Sequence, residues 1–410
     1  MPIHPTTTVT GRTILSPSVR PFGPVLMLAT VGPALALLSL LSLPLFYHPL
    51  SVPAAPISPI SPIPAAAVQN NNLAVPCDAS VLIDAINQAN DHPDITTLDL
   101  APGCTYTLTT TNNLLDGANG LPSIETSVII QGNGATIERD RTFYANPPHF
   151  RIFHIADTGA LTISNVTIRG GVTSVNEDDT VAGGGGIHNS GTLFIEHSAI
   201  TQNATNNGQG SSSGGNGGGI YNNNGLVTVI SSTITDNLTG NGTPGTVDTD
   251  GSDGGNGGGI YNLLGMFHIL DSVIAANTTG DSGTNRNGGN GGGLSNLEGT
   301  VYITRTAVQN NRTGTGGHIR EGHGGDGGGI HNLGTLYVIS SAVTENRTGN
   351  GGFDVGEASN GEGGKGGGLY NGTNSMLTIT SSSISNNVTG RGSTAGPAVR
   401  AAGSISTGGM

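Results

Sequence analysis

The chain has 410 residues with 14 basic and 27 acidic side chains, and its net charge of −13 argues against nucleic acid and anionic membrane surfaces as partners. Charged residues make up 10%, aromatics 4%, tryptophan is absent and glycine numbers 69. Such a composition cannot fill a wide globular core; it suits a narrow one lined by Ile, Leu, Val, Ser and Asn.

Residues 1–24 carry Arg12 and Arg20 and no acid, and Val25 to Tyr47 is an apolar run. A positive flank followed by an apolar core is the export pattern. The run is also long enough to span a bilayer, so residues 1–47 read as a cleaved signal peptide or a retained anchor, the chain's one route to a membrane. Residues 48–76, with Pro49, Pro53, Pro56, Pro59, Pro62 and Pro64, read as a semi-rigid linker. Order is expected from Cys77. Ser80 is placed to cap a short helix through Asn90, with Val81, Leu82, Ala85, Ile86 and Ala89 on its apolar face. Strands follow at Thr96 to Leu100 and, after a Pro102-Gly103 turn, at Cys104 to Thr109. In an exported chain Cys77 and Cys104, the two cysteines, are expected to pair. Two or three shorter rungs are then expected: Ser127 to Ile137 as one, Phe150 to Ile155 and Leu161 to Ile168 as the next.

From Gly184 a phrase repeats six times: Gly-Gly-Gly-Ile/Leu-x-Asn, an apolar-x-apolar pair, then Ser/Thr-x-Ile/Val-x-x-Asn. Its openings, Ile187, Ile220, Ile260, Leu294, Ile330 and Leu369, lie 33, 40, 34, 36 and 39 residues apart, a period that signals a stacked-repeat fold. From Leu193, Val227, Phe267, Val301, Leu336 and Leu377 onward, ten residues align without a gap in every copy. Length varies only in the Gly/Asn/Ser stretch before each Gly-Gly-Gly and in the step after the Asn. Alternation with period two, as in Leu193/Ile195, marks strands with one buried face. The offset to Ser198/Ile200 requires a bend. The expected fold is therefore all-β: a single-stranded parallel β-helix over 77–390 with three short strands per rung, about eight to ten rungs and a short N-terminal capping helix. Residues 391–410 read as a disordered or truncated tail.

Asn203, Asn237, Asn277, Asn311, Asn346 and Asn387 share one register; Asn189, Asn222, Asn262, Asn296, Asn332 and Asn371 share another. Asn tolerates a left-handed corner and its amide both donates and accepts, so each register is expected to stack as a hydrogen-bonded file. The first also reads Asn-x-Thr in every copy, the glycosylation pattern, but an Asn buried in a file cannot carry a glycan.

Gly-Gly-Gly-Ile-Tyr-Asn with Ile234-Thr-Asp-Asn237 resembles the repeats of polymorphic outer-membrane proteins and related pectin-lyase-like surface proteins. The block from Cys77 through Leu100-Ala-Pro-Gly-Cys-Thr-Tyr resembles the N-terminal cap region of large exported bacterial β-helix proteins. The resemblance covers about 77–390. It implies a right-handed β-helix, export, and a secreted, cell-surface or outer-membrane-associated location. Ile or Val stands where the outer-membrane family has Phe.

The same fold class includes polysaccharide lyases and hydrolases, whose sites place acids on outward strand faces. One outward column here is Phe194, Thr228, His268, Tyr302, Tyr337 and Thr378; the other is His188, Tyr221, Tyr261, Ser295, His331 and Tyr370. Neither holds a carboxylate. The rings of His188, Tyr221, Tyr261, His331 and Tyr370 are the candidate sugar-facing set, with packing as the plainer explanation. Glu196, His197, Asp271 and Arg305 are the charged residues of the aligned strands, and Asp271 and Arg305 fall in one column as an expected ion pair. Asp248, Asp250 and Asp253, three carboxylates within six residues, are a candidate calcium site; no other cofactor is expected. Glu177-Asp178-Asp179 is a weaker candidate. A calcium nonapeptide match fails because Gly219, Gly259 and Gly329 stand where it needs Asp. The expected function is non-catalytic display or adhesion, toward surface glycans or another cell. The alternatives are a polysaccharide lyase or hydrolase, or a piece of a larger autotransporter-like adhesin.

Overall fold

The structure, a computed structural model, describes residues 71–141, 148–173, 183–246, 248–318, 321–353, 361–393 and the backbone of 405–407, all within the compact unit Ala65–Met410. The export segment, most of the linker and Glu177-Asp178-Asp179 lie outside the described residues. No described helix is long and apolar enough to cross a membrane.

The chain forms a parallel β-helix. One strand column runs ten deep, from Asn71–Val75 through Thr96–Leu100, Ser127–Arg139, Ala160–Arg169, Thr192–Glu196, Leu226–Ile230, Met266–Leu270, Leu294–Thr304 and Ile330–Ile339 to Met376–Thr380, every pairing parallel. Parallel columns also carry the short strands Ala199–Thr201, Thr233–Thr235, Val273–Ala275, Ala307–Gln309, Ala342–Thr344 and Ser383–Ser385, and those opening at Ile187, Ile220, Ile260, Leu294, Ile330 and Leu369. Each copy sends about four aliphatic side chains inward; Ile187, Leu193, Ile195 and Ile200 are all at most 1% exposed. The period-two pattern is the physical cause, since alternate side chains must leave water together.

Four boundaries differ from the sequence reading. The first strand, Asn71–Val75, lies in the stretch assigned to the linker and pairs with Thr96–Leu100. Its Leu73 and Val75 supply the alternation that the preceding prolines obscured. The helix Ala79–Asn90 is capped by Asp78, whose carboxylate accepts from the Ser80 amide at 2.8 Å; Ser80 itself falls inside the first turn. Ile405–Thr407, in the supposed tail, pairs with Leu369–Asn371. The left-handed corners fall on the residue before each first-register Asn, at Gln202, Asp236, Ala276, Asn310, Glu345 and Asn386, with φ between 55° and 59°. The ladder Asn is thus not the corner residue; its amide fixes the bend from beside it.

Both asparagine files are present and buried. Asn237 Oδ1 accepts from the backbone N–H and the Nδ2 of Asn203, and Asn237 Nδ2 also donates to the Ile200 carbonyl. The pattern repeats through Asn277, Asn311, Asn346 and Asn387. In the second file each Nδ2 donates to the next Oδ1, from Asn189 to Asn371. A third file runs alongside: Ser198, Ser232, Ser272, Thr306 and Ser341 pass backbone N–H donors to the hydroxyl one rung on. The Thr of the Asn-x-Thr triplet is equally occupied, Thr279 donating to the Gly289 carbonyl and accepting from Gly314 N–H.

The Gly-rich segments also stack. Gly254 N–H donates to Asn287 O, Gly288 N–H to His323 O and Gly324 N–H to Glu362 O. A Cβ on Gly314 would lie 1.8 Å from the Gly280 carbonyl oxygen, and one on Gly349 the same distance from Gly314 O. Glycine is required there by contact between neighbouring loops, and these loops form an outer stacked layer.

At the N-terminal end the helix buries Leu82, Ala85, Ile86 and Ala89. Asn90 clamps the following chain, donating to Ser123 O at 2.7 Å and accepting from Glu125 N–H at 3.0 Å. Cys77 and Cys104 are disulfide-bonded, with Cα atoms 5.6 Å apart. Beside them the buried Tyr106 hydroxyl donates to Val75 O and accepts from Ala101 N–H.

Candidate functional sites

The column expected to face a sugar is turned into packing. His188, Tyr221, Tyr261, Ser295, His331 and Tyr370 do align, and His154 extends the file one rung upstream. His188 is fully buried, Tyr221 and Tyr261 are 8% exposed and His331 is 7% exposed. Tyr221 stacks on Tyr261 at 5.4 Å and His331 on Tyr370 at 5.2 Å, so these ring faces meet one another; Tyr370, at the end of the file, is half-buried. Burial, with the neighbouring Tyr221 second, pushes the Tyr261 phenol up to about 12, and burial pushes His331 down to about 4. In the second outward column His268, Tyr302 and Tyr337 stack at 4.7 Å, with Tyr302 covered by a ring on both faces.

In the acidic loop two of the three candidate calcium carboxylates, Asp250 and Asp253, are engaged by the next rung's loop. Asp250 accepts from Asn285 Nδ2 at 2.9 Å and lies 3.4 Å from the Arg286 guanidinium, while Asp253 accepts from the Asn287 amide at 2.8 Å. These carboxylates bind the next rung's loop, and the carboxylates of Asp248, Asp250 and Asp253 do not converge. Asp271 and Arg305 form a two-pronged ion pair at 2.7 and 2.9 Å, which holds the Asp271 carboxyl below its usual range. Asp271 lies at the left-handed bend after Met266–Leu270, with φ 48°, and not in a strand as the sequence suggested.

Two clefts remain. The first, of about 760 Å³, lies on the Gly-rich loop layer and crosses four successive loops, with Asn207, Asn241, Asp281 and Thr315 in its lining. Each of these is fixed to the next: Asn207 Oδ1 accepts from Asn241 N–H, Asn241 Oδ1 from Asp281 N–H, and Asp281 Oδ1 from the amide and hydroxyl of Thr315. His318, also in the lining, stacks with Phe353 at 5.7 Å, and Phe353 is 60% exposed. Asn207, Asn241, Asp281 and Thr315 each stand four residues after a first-register Asn, and sequence reading missed the row because the residue type changes along it.

The second cleft, of about 820 Å³, lies near the N-terminal end and includes Asp116, Ser123, Glu125, His154, Asp157 and Ser190. His154 is 3% exposed; its Nδ1 is 2.8 Å from Ser123 Oγ and its Nε2 3.1 Å from Asp116 Oδ2. Ser123 is 4% exposed and lines the cleft. His188 packs edge-on against His154 with ring centres 5.4 Å apart. Burial first, and then the Arg151 charge, lowers the proton affinity of both imidazoles. Arg151 donates to Asp116 O and to Asn119 Oδ1.

No protein-family model matches the chain, and no curated protein does.

Proposed function

We propose that the chain is an exported, non-catalytic β-helix acting in surface display and adhesion, and that the loop-layer cleft takes a carbohydrate. The observation that carries this reading is the fixed row of Asn207, Asn241, Asp281 and Thr315 across four loops. Side-chain amides, a carboxylate and hydroxyls at one-rung intervals match the hydroxyl groups of a glycan. The exposed Phe353 ring beside His318 supplies a face for the apolar side of a sugar. Pre-ordering of the row lowers the entropy cost of binding. The apolar, acid-free segment with Arg12 and Arg20 supports export to a secreted or cell-surface location.

The test is a screen of glycans and polysaccharides for binding and for cleavage by the full chain. Binding without cleavage is expected, weakened about tenfold or more by Phe353→Ala and by Asn241→Ala. Absence of glycan binding, or binding indifferent to both changes, sinks the carbohydrate reading. Cleavage lost on replacing Glu196, His197 and Asp271 with alanine would favour the lyase or hydrolase alternative.

A further inference from the structure

We propose that Asp116, His154 and His188 form a binding site for one divalent transition-metal ion of the zinc class. One ring nitrogen of each imidazole and one carboxylate oxygen of Asp116 lie within 4.8 Å of one another, and among the described residues this is the one such group of three. Two imidazoles and a carboxylate are a donor set that zinc-class ions favour over calcium or magnesium.

The geometry goes further than proximity. Tetrahedral bonds of about 2.0–2.1 Å place donor atoms about 3.3 Å apart, and His154 Nε2 and Asp116 Oδ2 are already 3.1 Å apart. Ser123 Oγ sits 2.8 Å from His154 Nδ1, the orienting contact that a metal-bound imidazole takes on its other nitrogen. His188 is fully buried, yet its Nδ1 has no hydrogen-bond partner. A buried imidazole nitrogen left without a partner costs about 1–3 kcal/mol, and an ion would relieve that deficit. Asp116 rides on a left-handed turn with its side chain 55% exposed, so it is the member free to close on an ion. Arg151 opposes a cation; the Asp116, Glu125 and Asp157 carboxylates of the same cleft offset it. With three protein donors, the fourth position faces the cleft and admits water or a ligand.

The site is independent of the carbohydrate cleft. Its test uses the full chain without a polyhistidine tag, stripped with a chelator and titrated with cobalt(II) and then zinc(II). One equivalent of cobalt should bind with the visible absorption of a low-coordinate nitrogen/oxygen site, and zinc should displace it. Asp116→Asn, a change on an exposed side chain that leaves the fold intact, should weaken uptake about tenfold or more. His188→Ala should abolish it, with circular dichroism checking the fold. No saturable uptake, or one equivalent that Asp116→Asn leaves unchanged, overturns the proposal.

Discussion

The N-terminal end and the repeated middle of the ribbon solve one problem differently. From Ile187 to Asn387 the rungs are joined by buried files of Asn and Ser/Thr, with aliphatic side chains and the ring of Phe267 between them. Before that, the positions facing these files hold other residues: Ile155 pairs with Asn189, and Gly171 N–H meets Asn203 Oδ1. There the interior is filled by Tyr106, Phe150 and Phe153, covered by a helix and closed by a disulfide. Polar files need identical neighbours and so suit the middle of a stack. An end has a neighbour on one side only, and it uses bulk, a cap and a covalent tie.

That contrast can be broken at its strongest point. Asn277→Ala leaves the backbone and side-chain donors of Asn237 without their acceptor and strips the Ile234 carbonyl of its donor. The expected loss is about 3–5 kcal/mol, from two or more buried groups at about 1–3 kcal/mol each. Chemical denaturation should show it, with hydrogen exchange rising first in the flanking rungs. Removing the disulfide by Cys77→Ser with Cys104→Ser reopens a span of 27 residues. It should cost about 3–4 kcal/mol by the chain-entropy relation and loosen the helix before the repeats, a sequence that limited proteolysis reads. Equal early loss in both regions would dissolve the distinction.

Smaller effects sharpen it. Gly314→Ala places a Cβ 1.8 Å from the Gly280 carbonyl oxygen. About 1–3 kcal/mol of overpacking is expected, visible as lost amide protection in the loop layer while the strand amides hold. His331, held near 4 by burial, stays neutral in the fold, whereas the unfolded chain binds its proton below about 6.5. The unfolded state therefore carries more protons between those values, so this contribution is complete above about 6.5 and lost as pH falls toward 4. Unfolding free energies from urea titrations at pH ~7 and ~5 should differ by about 1–2 kcal/mol, and His331→Phe should flatten part of that slope. Arg305→Ala breaks an exposed pair and should leave the denaturation midpoint indistinguishable from wild type.

The strands, the aliphatic interior and both Asn registers were legible because each recurs at a fixed offset from the Gly-Gly-Gly phrase. Leu193, Ile195 and Asn203 announce themselves by having counterparts in every copy. The Ser198 file was half visible: its spacing was plain, but hydroxyl-to-amide bonding between rungs depends on backbone geometry that a pattern does not carry. The clefts were not legible. Asn241 and Asp281 share one offset, four residues after Asn237 and Asn277, but that column changes residue type from copy to copy, and Asp116 belongs to an irregular turn without counterparts. His154 lies 34 residues before His188, and its rung shares too little of the motif to show that the two rings meet.

Every carboxamide in the first file turns its oxygen toward the preceding copy and its hydrogens into that copy or onward, so the file has a head and a tail. The summed dipoles make the ribbon a vector. A whole copy can be spliced in anywhere if it runs in the same sense, and an inserted copy would lengthen the row of carriers for the loops. A shift of a single residue reverses no arrow but misses every partner. Growth of such a molecule during descent is thus quantised in complete turns, which is a reason its copies still resemble each other while their loops have drifted apart.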